Sequence, residues 1–437
     1  MKVKKLVVKN YKRFKDLTID LGETPKRIIA LIGPNGCGKS SVFDAMLFKN
    51  NTYNSLGRYG NKDYKYHSLM HSDNYSHENV NLTFVEGEYD VVREKKYQDN
   101  CGNTIFSFRS PYRYNSDLNV IKKEAVDDLK NNNYGASLTI NIDDKMIENY
   151  KRLQSMYTDY MENYDLKPSV AKAKILSDLN NSILKCLDLS IVGLGNIEAG
   201  KGTLFFSKRD YEAKQFEFNV LSSGEKEVVD ILLDIYLRKD MYSDSVYIID
   251  EPELHINSSI QRKLLVEINS MIPENCQIWI ATHSLGFMRA LQDEFSDITQ
   301  IIKFSSTNDW ASQSYLLFPM EMTRLNWREV FFTALEDMTY LISPDVIIYC
   351  EGKDKPHRNG SERGMDAQAL NVIFNKEFPK VQFVSSGGNT ELDQRSDIAF
   401  LILNLSGLML TFIPHMFFMT FKCPLISSLI MSFIYIS

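Results

Sequence analysis

The stretch ALIGPNGCGKSSVFDAMLF, Ala30 to Phe48, constrains this chain more than any other. Gly33, Gly38, Lys39 and Ser40 stand at the G-x-x-x-x-G-K-[ST] spacing. The apolar run RIIALIG precedes them as a strand, and SSVFDAMLF follows with helical spacing, which is the context this motif needs. Glycines let the backbone N–H groups of Asn35, Gly36, Cys37, Gly38, Lys39, Ser40 and Ser41 turn inward around phosphate oxygens without a Cβ clash. The N-terminus of the following helix adds a favourable dipole. Lys39 is expected to reach the β- and γ-phosphates and Ser40 to ligate Mg2+. Cys37 reads as a small residue at a variable position. Strand, loop and helix in this order predict an α/β fold.

Three later segments supply what such a loop lacks. SVYIIDEPELH, Ser245 to His255, is an apolar strand ending in two carboxylates. Asp250, at the strand end, is placed to hold Mg2+, and Glu251 to position and deprotonate an attacking water. Pro252 stops the strand. IWIATHS, Ile278 to Ser284, is a further apolar strand, and its His283 is the candidate contact to a γ-phosphate. LSSGEKEVVDILLDIYLR, Leu221 to Arg238, opens an amphipathic helix with Ser222, Ser223, Gly224 and Glu225. Serine and glycine at a helix start favour an anion, although the same residues also make a simple cap.

Taken in order, LIGPNGCGKSS, LSSGE, YIIDEPELH and ATHS resemble an ABC-type ATPase head of the SMC/RecF/OLD group. The opening KLVVKNYKRFKDLTIDL is similar to that group's first hairpin. The resemblance covers roughly residues 1–305, apart from a helical insertion. It implies a mixed ABC-type sheet, ATP and Mg2+ as ligands, and a homodimer or higher homo-oligomer. Two heads would sandwich two ATP molecules, with Ser222, Ser223, Gly224 and Glu225 of one head facing the γ-phosphate held by the other. The group's Q-loop glutamine has only Gln98 as a counterpart. The distance in sequence between Ser41 and Ser222 is too short for the long coiled-coil arms of SMC proteins.

The sequence predicts an ATPase head with its N-terminal lobe over 1–116, a helical insertion over 117–190 and a second lobe over 191–340. HENVNLTFVEGEYDVVREKKY, His77 to Tyr97, reads as a hairpin bending at Glu86-Gly87. A net charge of −6 gives no global pull toward nucleic acid, so DNA binding would need a local basic face. The set Lys2, Lys4, Lys5, Lys9, Lys12, Arg13 and Lys15 is one such face, or a solvated edge strand and turn. Cys37, Cys101, Cys186, Cys276, Cys350 and Cys423 form no CxxC. That spacing argues against zinc and for a reducing compartment. With no signal-peptide core in MKVKKLVVKN, the expected location is the cytoplasm.

VIIYCEGKDK, Val346 to Lys355, resembles the first motif of a Toprim domain, as found behind the ATPase in OLD-family nucleases. The resemblance makes Glu351 a metal ligand or acid/base, and 344–403 a partial Toprim-like unit. VQFVSSGG would be its second strand. Toprim chemistry needs a third strand ending in an Asp-x-Asp pair, because metal-assisted cleavage takes several oxygen ligands. That strand is expected near Gly407–Met416, yet no Asp or Glu follows Asp397. Ile398 to Phe421 carries no charged residue. The apolar 404–437 reads as a truncated or frame-shifted end, a degenerate Toprim core or, last, a membrane helix. The expected function is therefore an ATP-hydrolysing, dimerising protein of the OLD-like class. It would be linked to DNA processing or anti-phage defence with a possible partner protein, and its nuclease site would be incomplete. The alternative is a nucleotide-gated DNA-binding or scaffold protein with slow hydrolysis.

Overall fold

The computed structural model describes residues 1–54, 77–99 and 104–331, with short interruptions between 114 and 137, at 210–213 and between 324 and 329. Beyond these it describes four strands and residues 370, 373 and 374. The chain divides into two units, Met1–Leu335 and Glu336–Ser437.

The first unit is built on a parallel sheet. Its strands are β3 (Ile28–Ile32), β5 (Phe106–Arg109), β9 (Val246–Asp250), β10 (Gln277–Thr282) and β11 (Thr299–Lys303), in the order β11-β3-β10-β9-β5. Every residue of β3, β9 and β10 is buried. That is why these strands read as unbroken apolar runs rather than as alternation. Their side chains still alternate between faces. Ile28, Ala30 and Ile32 enter one core with Ile249 and Ile280, and Ile29 and Leu31 enter another with Ile248 and Trp279.

The second of these cores is closed by an N-terminal sheet of β1 (Val3–Tyr11), β2 (Phe14–Asp20), β4 (Val80–Phe84) and β12 (Ser314–Leu317), ordered β12-β2-β1-β4. Helix α1 (Lys39–Asn54) shares it, through Val42, Phe43, Ala45 and Met46. Buried Gln277 fastens the two sheets together. Its side-chain oxygen accepts from Val3 N–H and the Trp279 indole at 2.9 Å each, and its amide donates to Val3 O and Lys26 O at 3.2 Å each.

The first core is covered by α3 (Lys145–Tyr164), α4 (Pro168–Leu187), α5 (Ser223–Arg238), α6 (Ser258–Met271) and α7 (Leu285–Asp293). A small antiparallel sheet of β6 (Leu189–Gly193), β7 (Phe205–Lys208) and β8 (Phe216–Glu217) adjoins α4. Helix α2 (Glu88–Asp99) follows β4.

Two expectations are corrected here. His77–Tyr97 is not a hairpin, because after Gly87 the buried positions are Val91 and Lys95. That i, i+4 spacing is helical, and Gly87 at φ +92° with Glu88 and Asp90 in the next turn starts α2. Among the described residues of 117–190 the α-helices begin at Lys145. Among the described residues before it lie isolated bridges, Arg113 to Asp143 and Val120 to Gly202. A polar cluster binds this segment to the head. Arg109 pairs with Asp143 at 2.8 Å and with Asp230 and Asp234 of α5.

In the second unit β13 (Val346–Cys350) pairs in parallel with β14 (Val381–Ser385). β15 (Met409–Ile413) and β16 (Met416–Thr420) are antiparallel to each other, and β16 is antiparallel to β13. Glu351 lies outside the described residues. Among the described residues no helix is long and apolar enough to cross a membrane.

Candidate functional site

The parallel pairing brings three strand ends level. Ile32 of β3 lies opposite Thr282 of β10, and Ala281 of β10 lies opposite Asp250 of β9. The loop after β3, His283 after β10, and Asp250 with Glu251 therefore meet at one edge. Carboxyl ends of parallel strands are where open α/β sheets bind ligands.

Residues Gly33 to Gly38 wrap ahead of α1, with Gly36 at φ +76° and Gly38 at φ +113°. A Cβ on Gly33 would stand 2.5 Å from Phe304 O, and one on Gly38 would stand 2.9 Å from the Phe14 ring and 3.0 Å from Arg13 Cδ. Lys39 is buried, and its ammonium donates to Gly33 O at 2.8 Å and Pro34 O at 2.9 Å. Asn35 and Gly36 are exposed at the rim. Burial pushes the Cys37 thiol up, against the nearby Lys39 charge.

Asp250 is fully buried, and among the described residues neither of its carboxylate oxygens has a well-formed hydrogen bond. Burial raises its pKa to about 7; the Ser40 hydroxyl opposes this, and the charges of Glu251, Asp44 and Glu253 add to it. Two orphaned acceptors beside a hydroxyl fit a hard cation, which favours oxygen ligands. They also have a measurable cost. Between 3.8, the ordinary value, and about 7 the unfolded chain is ionised while the folded one keeps its proton. The folded state then binds more protons, so stability falls as pH rises through this window, and the penalty is complete above it. Asp250→Asn is expected to stabilise the ligand-free chain, with a gain over wild type that grows by about 2–3 kcal/mol from pH 5 to pH 8. Urea unfolding of both proteins across that range measures it, and a gap independent of pH contradicts it.

Glu251 follows in the left-handed region at φ +46°, and His255 is there too at φ +62°. Non-glycine residues held so cluster at functional sites. His283 Nδ1 lies 4.0 Å from Glu251 Oε1 and 3.6 Å from Glu253 Oε1. Buried Glu253 also accepts from the Thr282 hydroxyl at 2.6 Å and from His283 N–H at 3.0 Å, so it fixes the turn that carries the imidazole. Burial raises the Glu253 pKa, and those two donors oppose it.

Ser222 caps α5. Its N–H donates to Glu225 Oε2 at 2.8 Å, and its hydroxyl accepts from Glu225 N–H at 3.4 Å. This reciprocal pair is a capping box. Ser222 and Ser223 remain exposed on a cleft of about 740 Å³ that also includes Gly224, His255, Arg209 and Lys263. A Cβ on Gly224 would stand 2.6 Å from His255 O, so glycine is required there by the neighbouring backbone as well.

Glu253 and Arg113 were absent from the sequence reading, and Lys12 and Arg13 have specific partners there was no sign of. Glu253 stands two residues after Glu251 in DEPEL. Arg13 and Lys12 were grouped with a basic face, whereas the Arg13 side chain borders Gly38 and Lys12 pairs with buried Asp44 on α1. Lys4 and Lys5 are also paired, with Glu23 and Asp20. Arg113 had no sequence signal beyond following a strand. It donates to Asp250 O at 3.0 Å and Glu251 O at 2.8 Å. Burial and the like charge of Arg109 lower its pKa to about 10. Gln98 lies near the end of α2.

A family model described as "AAA domain, putative AbiEii toxin, Type IV TA system" matches residues 28–289, and another described as "AAA domain" matches residues 1–50. The chromosome partition protein Smc of Methanocaldococcus jannaschii is 48% identical over 46 residues, which are 10% of this chain and 4% of that protein. Among solved structures, an Smc head bound to the C-winged helix domain of ScpA is 12% identical at a TM-score of 0.43, covering 75% of this chain and 99% of that one. The SMC head domain from Thermotoga maritima is 16% identical at a TM-score of 0.39, covering 74% and 100%.

Proposed function

The chain belongs to the AAA-domain family whose model spans residues 28–289, and on that premise we propose that it binds ATP with Mg2+ and hydrolyses the nucleotide between two copies of itself. One observation carries this reading. The ends of β3, β10 and β9 are level, so a glycine cradle with Lys39, an imidazole and a carboxylate pair share one edge of the sheet.

In this reading Asn35 to Ser41 cradle the phosphates, and Lys39 leaves the carbonyls of Gly33 and Pro34 for the β- and γ-phosphates. Ser40 and Asp250 hold Mg2+, which neutralises phosphate charge when bound. Glu251 orients and deprotonates the attacking water, and His283 contacts the γ-phosphate. Ser222, Ser223, Gly224 and Glu225 belong to the opposite copy's nucleotide, across a shared two-fold interface. Exposure of both serines beside the cationic groups of Arg209 and Lys263 supports this assignment.

The test is complementation between two inactive chains. Lys39→Ala removes a cradle and leaves the serine-headed helix intact; Ser223→Glu does the reverse. Neither hydrolyses ATP alone. An equimolar mixture is expected to recover about a quarter of wild-type activity, since half the random dimers carry one intact composite site of two. No recovery, with mixed dimers present, rejects the sandwich.

The resemblance to the OLD group motivates a further role in DNA processing or phage defence, with a partner protein and without cleavage by this sequence. The resemblance supplies Glu351 as one acid where that chemistry needs several, and the stretch Ile398–Ser437, where the Asp-x-Asp strand is expected, holds no Asp or Glu. Supercoiled plasmid with ATP and Mg2+ or Mn2+ should stay intact. Nicking that Glu351→Ala abolishes would reverse this part of the reading.

A further inference from the structure

We propose that Arg113 is a positioning residue that holds the Glu251 carboxylate in its working geometry and ties that geometry to the signature helix α5. The inference deepens the hydrolytic reading above and rests on it.

Glu251 at φ +46° sits in a conformation that costs a non-glycine residue about 1 kcal/mol or more. Such a conformation persists only when its surroundings determine it. Leu254 N–H reaches Glu251 O at 3.3 Å within the turn, and two groups from outside it act as well. The Glu251 N–H donates to Ala281 O at 3.0 Å, which continues the pairing with β10. On the other side the Arg113 fork spans consecutive carbonyls, with Nη1 to Asp250 O at 3.0 Å and Nη2 to Glu251 O at 2.8 Å. A planar guanidinium can grip two acceptors at once in a fixed relation, and a lysine ammonium cannot impose that relation. Nη1 also reaches Ser110 O at 2.6 Å, which anchors the arginine to its own loop.

The remaining edge of the guanidinium faces α5. Arg113 Nε pairs with Glu227, and the two side chains are 1% and 5% exposed, so solvent screens this pair little. Asn115 adds a bond to Glu227 Oε2 at 3.3 Å and to Asp230 Oδ2 at 3.2 Å. At its other end the 250–255 segment meets α5 again, where Gly224 lies against His255 O. Helix α5 thus touches this segment at both ends. A nucleotide engaging Ser223 from the opposite copy would act on the same helix that, through Glu227 and Arg113, sets the backbone of Glu251.

The competing role for Arg113 is as a counterion that merely keeps buried Glu227 paired. The two differ in what they move. Arg113→Lys keeps the charge opposite Glu227 and loses the two-carbonyl grip. It is expected to lower kcat about 100-fold, the scale of an ångström-sized misplacement, while KM and MgATP affinity stay within about threefold and the melting temperature stays near wild type. Arg113→Gln combined with Glu227→Gln removes both charges, leaves no unpaired ion, and should lower kcat at least as far. It decides the question if the lysine variant does not fold. A kcat within about threefold of wild type in either folded variant overturns the proposal, as does a rate that falls only in step with ATP affinity. A wild-type chain that binds but never hydrolyses ATP instead removes the hydrolytic reading itself, and this one with it.

Discussion

Lys39→Ala is expected to lose MgATP binding by roughly a thousandfold while the chain stays folded. The ammonium now donates to Gly33 O and Pro34 O, both in the loop that would surround the phosphates. It is buried at the start of α1, with no solvent to replace it on the inner side. A hydrogen bond from a charged donor contributes about 1.5–3 kcal/mol, so losing two such bonds to β- and γ-phosphate oxygens removes about 3–5 kcal/mol of binding. That range corresponds to a few hundredfold to a few thousandfold in affinity. The folded state loses much less. Pro34 is half-buried and Asn35 and Gly36 are exposed, so water can reach the freed Pro34 carbonyl. Titration of a fluorescent ATP analogue together with a thermal melt separates the two effects. Undiminished binding in the variant would place the nucleotide elsewhere. A collapsed melting temperature would make Lys39 a structural residue first.

What was legible in the sequence follows from burial. β3, β9 and β10 are covered on both faces, so each had to be an apolar run, and each ends in a residue that cannot continue the run. Gly33, Asp250 and His283 were therefore found together with their strands. The cap at Ser222 was equally readable, because a capping box is local to four residues. Long-range charge pairing leaves no such trace. Arg109 with Asp143, Asp230 and Asp234 joins positions that share no periodicity, and so does Arg113 with Glu227. The N-terminal cations left a basic face and a solvated edge strand both open for the same reason. A run of basic residues looks like an open face until their partners, Asp20, Glu23 and Asp44, are brought alongside by the fold. The bend at Gly87 was seen and its consequence was not, since Val91 and Val92 satisfy a strand and a helix alike; only the burial of Lys95 separates the two. The strain at Glu251 and His255 is a property of backbone angles, and no residue type signals it.

Glu251→Gln is expected to stop hydrolysis without stopping ATP binding, and so to accumulate a nucleotide-bound dimer. The substitution keeps size and shape. Its side chain is partly exposed, at 24%, so no buried charge is stranded by the change. The backbone grip of Ala281 and Arg113 is untouched because it acts through main-chain atoms. The one property lost is the ability to take a proton from water. General-base catalysis contributes about 10²–10⁴-fold, so kcat should fall by about a thousandfold with MgATP affinity unchanged within a few fold. Hydrolysis is the step that would release the two copies, so slowing it should shift the chain from monomer to dimer at saturating ATP, read by light scattering. His283→Ala is a useful contrast: the imidazole is 4.0 Å from Glu251 and contacts phosphate in the proposed scheme, so its loss should weaken both binding and rate. The outcomes separate the parts of the scheme. A monomeric Glu251→Gln chain in saturating ATP removes the two-copy site and leaves a single-chain ATPase. A dimer that still hydrolyses at near wild-type rate removes Glu251 as the base, and Glu253 is then the nearest other carboxylate to His283, at 3.6 Å.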